Sequence, residues 1–126
     1  MATILIVDDD PDVVEACRLF LERDHHKVVC AYNRAEGMKA VAEAKPDLLI
    51  LDVIMEQADD GIAMAQELRR SGFAAPILML TSIGKVTGYS YDKDEDLVPV
   101  DDFQEKPIEP AALVRKVNEL LAKRAR

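Results

Sequence analysis

Two short runs of aliphatic residues, each ending in acidic residues, constrain the fold of this chain more than any other feature. The runs are Ile4–Val7, followed by Asp8 and Asp9, and Leu48–Leu51, followed by Asp52. Unbroken apolar stretches of this length are typical of strands covered on both faces, as in parallel sheets. Because ligands of open parallel sheets bind outside the carboxyl ends of the strands, we expect the three carboxylates to meet there.

Such a cluster of acids predicts a bound cation. Three carboxylates at one sheet edge repel one another unless a cation joins them. Carboxylate oxygens suit a hard divalent ion such as Mg2+, which keeps several waters and takes only one or two protein carboxylates directly. Taken singly, the same acids are also compatible with a polar loop, in which Asp10 caps a helix, and with a strand-end turn at Asp52.

Length and composition limit the classes of protein to which this chain can belong. We assign the 126 residues to one domain, residues 1–126, with its own core. No apolar run approaches the roughly 20 residues that span a bilayer, and the first residues lack the basic segment of a secretory signal. The net charge of −8 argues against binding to the phosphate backbone of a nucleic acid, so we expect neither nucleic acid nor membrane as a partner. Cys17 and Cys30 are too few for a disulfide scaffold and are typical of reduced core residues in a cytoplasmic protein.

Strands and helices alternate along the chain. Asp10 and Pro11 open the first helix as N-cap and first helical residue, and Ser71 and Gly72 end a later one. The predicted strands cover about 3–7, 27–32, 48–51, 77–80 and 101–104, and the later helices about 35–44, 61–70 and 109–123. This alternation predicts a doubly wound α/β fold with a five-stranded parallel sheet.

Two other polar segments carry weaker signals. His25 and His26 have no further ligands at metal spacing, and we interpret them as a polar surface turn. Residues 92–96 resemble the start of a calcium loop, but its sixth position is Leu97 rather than glycine and its twelfth is Phe103 rather than glutamate. We therefore interpret this segment as a solvated acidic loop.

Four motifs at predicted strand ends resemble those of response regulator receiver domains. In chain order they are Ile4-Leu5-Ile6-Val7-Asp8-Asp9-Asp10, Pro46-Asp47-Leu48-Leu49-Ile50-Leu51-Asp52, Leu80-Thr81-Ser82 and Phe103-Gln104-Glu105-Lys106-Pro107. The resemblance covers essentially the whole chain. It implies a flavodoxin-like sheet with the strand order 2-1-3-4-5. The segment from Ile83 to Val100 departs from the family because its glycines and Pro99 make a poor helix, so we expect an irregular fourth helix region.

The resemblance assigns the acids to phosphoryl transfer. Asp52 would be the phosphoacceptor, since a carboxylate can form an acyl phosphate. Asp8, Asp9 and Asp52, with the backbone carbonyl of Ile54, would hold Mg2+. The metal would offset the repulsion between an anionic nucleophile and an anionic phosphoryl group.

The same resemblance gives roles to residues beyond the acids. Thr81 would donate a hydrogen bond to a phosphoryl oxygen, and Lys106 would bring a positive charge to the same oxygens. Phe103 stands where receivers carry an aromatic that changes rotamer as Thr81 shifts. Ile54 and Ile83 occupy the two positions that flank the path of the hydrolytic water, and two apolar side chains there predict a long-lived acyl phosphate.

These roles imply a single-domain response regulator. It would receive a phosphoryl group from a histidine kinase or phosphotransfer protein and act on a downstream protein through a surface change. A second copy of the chain is a further expected partner, in a dimer that depends on phosphorylation. It would catalyse only its own phosphorylation and dephosphorylation, so it is not a turnover enzyme. A pseudo-receiver used only for docking is disfavoured by the complete set of site residues. A haloacid-dehalogenase-like phosphatase is disfavoured because Ile54 stands where that chemistry needs a second acid.

Overall fold

The computed structural model of the protein describes residues 2–53, 60–82, 100–106 and 109–124. The strands are β1 (Thr3–Val7), β2 (Lys27–Ala31), β3 (Leu48–Asp52), β4 (Ile77–Ser82) and β5 (Asp102–Lys106). The helices are α1 (Pro11–Arg23), α2 (Arg34–Ala44), α3 (Asp60–Arg70) and α4 (Pro110–Arg124). Ile54, Ile83 and the segment expected to hold an irregular helix, except its last residue, Val100, lie outside the described residues.

The five strands form one parallel sheet in the order β2-β1-β3-β4-β5. This confirms the predicted doubly wound fold and its strand order. β3 is the central strand, and all five of its residues are buried. Its position explains the continuous run of leucine and isoleucine, because both faces of the strand are covered by helices.

Alternate residues of the strands pack on opposite faces of the sheet. One buried cluster joins residues such as Leu5, Leu49 and Met79 to Met64 of α3, with residues of α2 packed against it. The other cluster lies beneath α1 and α4, and its buried members are Ile4, Ile6, Val14, Cys17, Leu21, Leu48, Ile50, Leu78, Leu80, Leu113, Val117 and Leu120. The two clusters pack the sheet between two layers of helices, and this packing fixes the position of the strand ends.

Five strand bounds differ from the prediction. β3, β4 and β5 extend one or two residues further than expected, to Asp52, Ser82 and Lys106. The other two differences have identifiable reasons. β2 ends at Ala31 rather than at Tyr32, because the Tyr32 N–H donates to the Glu36 carboxylate in the first turn of α2 (2.9 Å). β5 begins at Asp102 rather than at residue 101. The Asp101 N–H donates to the Ile77 carbonyl (2.9 Å) and its carboxylate accepts the Ile77 N–H (2.8 Å), so the side chain takes part in the first contact with β4.

The ends of the helices use the expected residues. Asp10 caps α1, since its side chain accepts the Asp12 N–H (3.0 Å), and Pro11 is the first helical residue. After α3, Gly72 has a φ of 97° and the Phe73 N–H returns to the Leu68 carbonyl (2.9 Å). This is the Schellman arrangement that favours glycine.

The two adjacent histidines differ from each other. His25 takes the left-handed position after α1 (φ 68°), and the His26 N–H bonds the Leu21 carbonyl (3.1 Å), as in a Schellman motif. The His26 side chain is only 8% exposed. Its Nδ1 accepts the Ala2 N–H (3.2 Å), and its Nε2 lies 3.1 Å from Asn118 Oδ1 on α4. The interpretation of both histidines as a surface turn is therefore wrong for His26, which ties the start of β1 to α4.

None of the helices in the described part of the chain is long and apolar enough to cross a membrane.

Candidate functional site

The structure brings the three predicted carboxylates together at the carboxyl edge of the sheet. β1 and β3 are neighbours with Val7 opposite Leu51, so the next residues, Asp8 and Asp52, emerge side by side. One carboxylate oxygen from each of Asp8, Asp9 and Asp52 lies within 4.8 Å of the other two. The register of two buried strands, rather than a local turn, creates this cluster.

The three acids differ in exposure. Asp8 is 0% exposed and Asp52 is 5% exposed, and they are the two buried charged residues among the described residues. Asp9 is exposed. The cluster thus combines two buried carboxylates with a third at the surface.

Asp8 is held in place by its neighbours on two elements. Its N–H donates to the Ala31 carbonyl at the end of β2 (3.2 Å), and its Oδ1 accepts the Asp10 N–H (2.9 Å). The second bond closes a short turn before α1 and fixes one oxygen of the carboxylate. Main-chain contacts of this kind limit the rotation of the Asp8 side chain.

The donor set of the cluster fits a hard divalent cation. It offers three carboxylate oxygens close enough to share one ion, and oxygen ligands of this kind suit Mg2+, which fills its remaining positions with water. Charge also favours the cation, because carboxylates gathered this closely repel one another without one. Asp8, Asp9 and Asp52 are thus the residues that would hold Mg2+.

Thr81 and Lys106 reach the same edge of the sheet through the strand ladder. Leu80 of β4 is opposite Asp52, so Thr81 follows one residue beyond the height of Asp52. Ser82 is opposite Lys106, the last residue of β5. The main chain of Thr81 and of Lys106 therefore lies at the carboxyl edge of the sheet, on the two strands that follow β3 in the strand order.

Phe103 lies on β5 below this edge, half-buried against the cluster of core residues on the α2–α3 face. Its carbonyl accepts a hydrogen bond from Lys116 Nζ on α4, and its N–H donates to the Asp102 carboxylate (2.8 Å). Lys116 also approaches the Asp102 carboxylate (3.7 Å). These side chains satisfy the main-chain groups of Phe103, and sequence reasoning did not single out Lys116.

Residues 4–118 match the family model described as the response regulator receiver domain. The chain belongs to this family. The matched range includes both acidic strand ends, Thr81, Phe103 and Lys106.

Named relatives agree with that assignment. The receiver is 34% identical over 119 residues to the alkaline phosphatase synthesis transcriptional regulatory protein PhoP of Bacillus subtilis, covering 94% of this chain and 48% of that protein. It therefore spans about half the length of this curated relative.

Solved structures of similar length share the fold. A putative response regulator from Chloroflexus aurantiacus has a TM-score of 0.83 and 33% identity, with 96% of this chain and 98% of that one covered. The BeF3-activated N-terminal receiver domain of Klebsiella pneumoniae RstA has a TM-score of 0.77 and 27% identity, with 94% and 97% covered.

Gly61 is the second residue of this receiver site that the sequence alone did not reveal. It lies in the first turn of α3, fully enclosed, and its N–H donates to the Val53 carbonyl (2.9 Å). A Cβ built at this position would lie 1.9 Å from the carbonyl oxygen of Asp52. The sequence predicts Gly61 at the start of a helix, but it does not say which atoms the glycine contacts.

Proposed function

We propose that this receiver accepts a phosphoryl group on Asp52 from a histidine kinase or phosphotransfer protein, in a reaction that depends on Mg2+. The observation that carries the proposal is the meeting of Asp52 with Asp8 and Asp9 in one carboxylate cluster. Two of these carboxylates are buried, and burying like charges side by side is costly unless the site serves a cation.

The proposed transfer is a displacement at phosphorus. A carboxylate oxygen of Asp52 forms the new bond to phosphorus while the bond to the donor's imidazole nitrogen breaks, and the imidazole leaves with that electron pair. When bound, Mg2+ supplies charge neutralisation and orients the phosphoryl oxygens.

Other groups of the chain support that displacement in the proposal. Asp8, Asp9 and the carbonyl of Ile54 complete the ligands of the ion together with Asp52. The Thr81 hydroxyl donates a hydrogen bond to one phosphoryl oxygen, and the Lys106 ammonium places positive charge beside the oxygens. The proposal is supported by their places in the sheet, where Thr81 is the penultimate residue of β4 and Lys106 is the last residue of β5.

We further propose that phosphorylation is relayed through Phe103 to the surface and so to a downstream protein in the cytoplasm. The half-buried position of Phe103 against the core, with its main chain held by Asp102 and Lys116, is compatible with a change of side-chain rotamer that leaves β5 in place. We assign residues 1–126 to one such receiver domain.

Ile54 and Ile83, which cannot hydrogen-bond a water, would give the acyl phosphate a long lifetime. The double variant Ile54→Asn with Ile83→Glu should then dephosphorylate faster than the wild type.

Beryllofluoride provides the test of the function. It mimics an acyl phosphate, and a related receiver was solved in its BeF3-activated form. With Mg2+ present, beryllofluoride should bind the wild type and shift the NMR signals of Thr81 and Phe103, whereas Asp52→Asn should show neither effect. Binding by Asp52→Asn equal to the wild type would contradict the proposal, and no binding by the wild type would favour a pseudo-receiver used for docking.

A further inference from the structure

We infer that Gly61 is a positioning residue for the phosphoacceptor: the missing side chain at residue 61 lets α3 begin directly against the main chain of Asp52 and so sets the place of the metal ligand. The inference rests on the proposed function, since it concerns the Mg2+ site. It adds a residue that has no side chain with which to bind the ion.

The contact between Gly61 and β3 leaves no room for any side chain. A Cβ would meet three main-chain atoms, the oxygen of Asp52 at 1.9 Å, the carbonyl carbon of Asp52 at 2.8 Å and the Cα of Val53 at 2.8 Å. Main-chain atoms cannot rotate away as side-chain ends do. The Gly61 N–H bond to the Val53 carbonyl (2.9 Å) holds the helix and the strand end at this separation.

Asp52 is the residue through which this contact affects Mg2+ binding. It is the last residue of β3, and its carboxylate shares the cluster with Asp8 and Asp9. A Cβ at residue 61 requires the Asp52 carbonyl to retreat by more than about 1 Å, and displacements of this size are costly for precisely placed groups. Mg2+ demands near-ideal geometry from its ligands, so the metal site should respond strongly.

Gly37 offers a matched comparison elsewhere in the fold. It is a buried glycine of a helix, α2, and a Cβ there would also be crowded. Its nearest neighbours are side-chain ends, Met64 Cε at 2.9 Å and the two Cγ atoms of Val7 at 3.0 and 3.1 Å. Crowding at Gly37 therefore disturbs the core beneath α2 without touching the main chain of Asp52.

The experiment compares Gly61→Ala with Gly37→Ala in full-length protein. Mg2+ affinity is measured from the rise of the urea midpoint with Mg2+ concentration, which reports binding to the folded state. Gly61→Ala should weaken Mg2+ binding roughly 10- to 100-fold, the usual effect of losing a group that orients a ligand. Gly37→Ala should lower the stability of the apoprotein yet keep the Mg2+ affinity of the wild type.

The outcomes separate this inference from the proposed function. If the wild type binds Mg2+ and both glycine variants keep or lose affinity equally, the positioning role of Gly61 is overturned while the proposed function stands. If the wild type binds no Mg2+, both are overturned. Should Gly61→Ala be unfolded without metal, the same titration in an osmolyte such as TMAO, which favours the folded state, gives its Mg2+ affinity. An affinity equal to that of Gly37→Ala under those conditions would also overturn the inference.

Discussion

Arg69 at the end of α3 and Asp101, the residue before β5, form an ion pair of 2.9 Å that joins a helix to two strands. The guanidinium of Arg69 also donates to the carbonyls of Phe73 and Ala75, each at 2.8 Å. The Asp101 carboxylate accepts the Ile77 N–H of β4 as well. This arrangement lies at the amino edge of the sheet, opposite the acidic cluster, and it fixes where β4 and β5 begin.

Replacing Arg69 should therefore destabilise the fold beyond the loss of one surface ion pair. Arg69→Met should lower the free energy of unfolding by about 2 kcal/mol, since three hydrogen bonds from a charged donor are lost. Arg69→Lys should lose about half as much, because an ammonium cannot reproduce the planar fork. Urea denaturation measures both. Arg70→Met, at the exposed neighbouring residue, should stay within about 0.5 kcal/mol of the wild type, and an equal loss there would contradict the prediction.

Introducing glycine after α1 should stabilise the protein, and removing glycine after α3 should destabilise it. His25 and Gly72 both follow a helix in the left-handed region, with φ of 68° and 97°. His25→Gly should stabilise the protein by about 0.5 kcal/mol, because glycine avoids the cost of a Cβ in that conformation. Gly72→Ala should destabilise it by about 1 kcal/mol although nothing lies within 4 Å of the new Cβ. Thermal denaturation of the two variants measures both changes in stability. A change in the same direction for both variants would contradict the prediction.

The two cysteines should differ in reactivity. Burial raises the pKa of the Cys30 thiol above its ordinary value, and Cys17 is fully buried. Iodoacetamide should modify Cys30 more slowly than a free thiol at pH 8, and Cys17 only as the protein unfolds. Because the folded state keeps the Cys30 proton longer than the unfolded chain does, stability should fall as pH rises past the ordinary thiol pKa of about 8.5. Cys30→Ser should remove that component of the alkaline decline, and an unchanged pH profile would count against it.

Neutralising one acid of the cluster should stabilise the apoprotein while weakening metal binding. Asp9→Asn should raise the free energy of unfolding without metal by about 1 kcal/mol, the Coulomb energy of unit charges a few ångströms apart in water-like surroundings. It should also reduce Mg2+ affinity. Asp12→Asn is the control, since that exposed carboxylate lies in the first turn of α1, where negative charge is favourable. Equal stabilisation by both variants would show a general effect of net charge rather than repulsion within the cluster.

Much of the fold follows from the sequence because its apolar runs are unambiguous. Ile4–Val7 and Leu48–Leu51 are too apolar for any position but the middle of a covered sheet, and both are buried there. The acids that end these runs fall at one edge for the same reason. β5 was placed less accurately, since Phe103 is its sole apolar residue and the strand lies at the sheet edge, where alternation is weak.

What the sequence did not reveal depends on contacts between distant residues. His26 was interpreted as part of a surface turn because no further ligands stand at metal spacing, yet its side chain is buried and contacts Asn118, 92 residues later. The sequence predicts a helix that begins at Gly61, but the closeness of Gly61 to the Asp52 carbonyl depends on how α3 packs on the sheet. Arg69 looks like an ordinary helix-terminal arginine until β5 places Asp101 beside it.

The most direct measurement is the phosphorylation of Asp52 by phosphoramidate, a small donor that needs no partner protein. With Mg2+, intact-mass and peptide mass spectrometry should find one phosphoryl group on the wild type, located at Asp52, and little without Mg2+. Asp47→Asn serves as the control, since Asp47 precedes the same strand and its carboxylate binds the Thr3 N–H (2.8 Å) at the opposite edge; this variant should be labelled like the wild type. Asp52→Asn should take up no phosphoryl group, and full labelling of that variant would contradict the assignment of Asp52 as the phosphoacceptor.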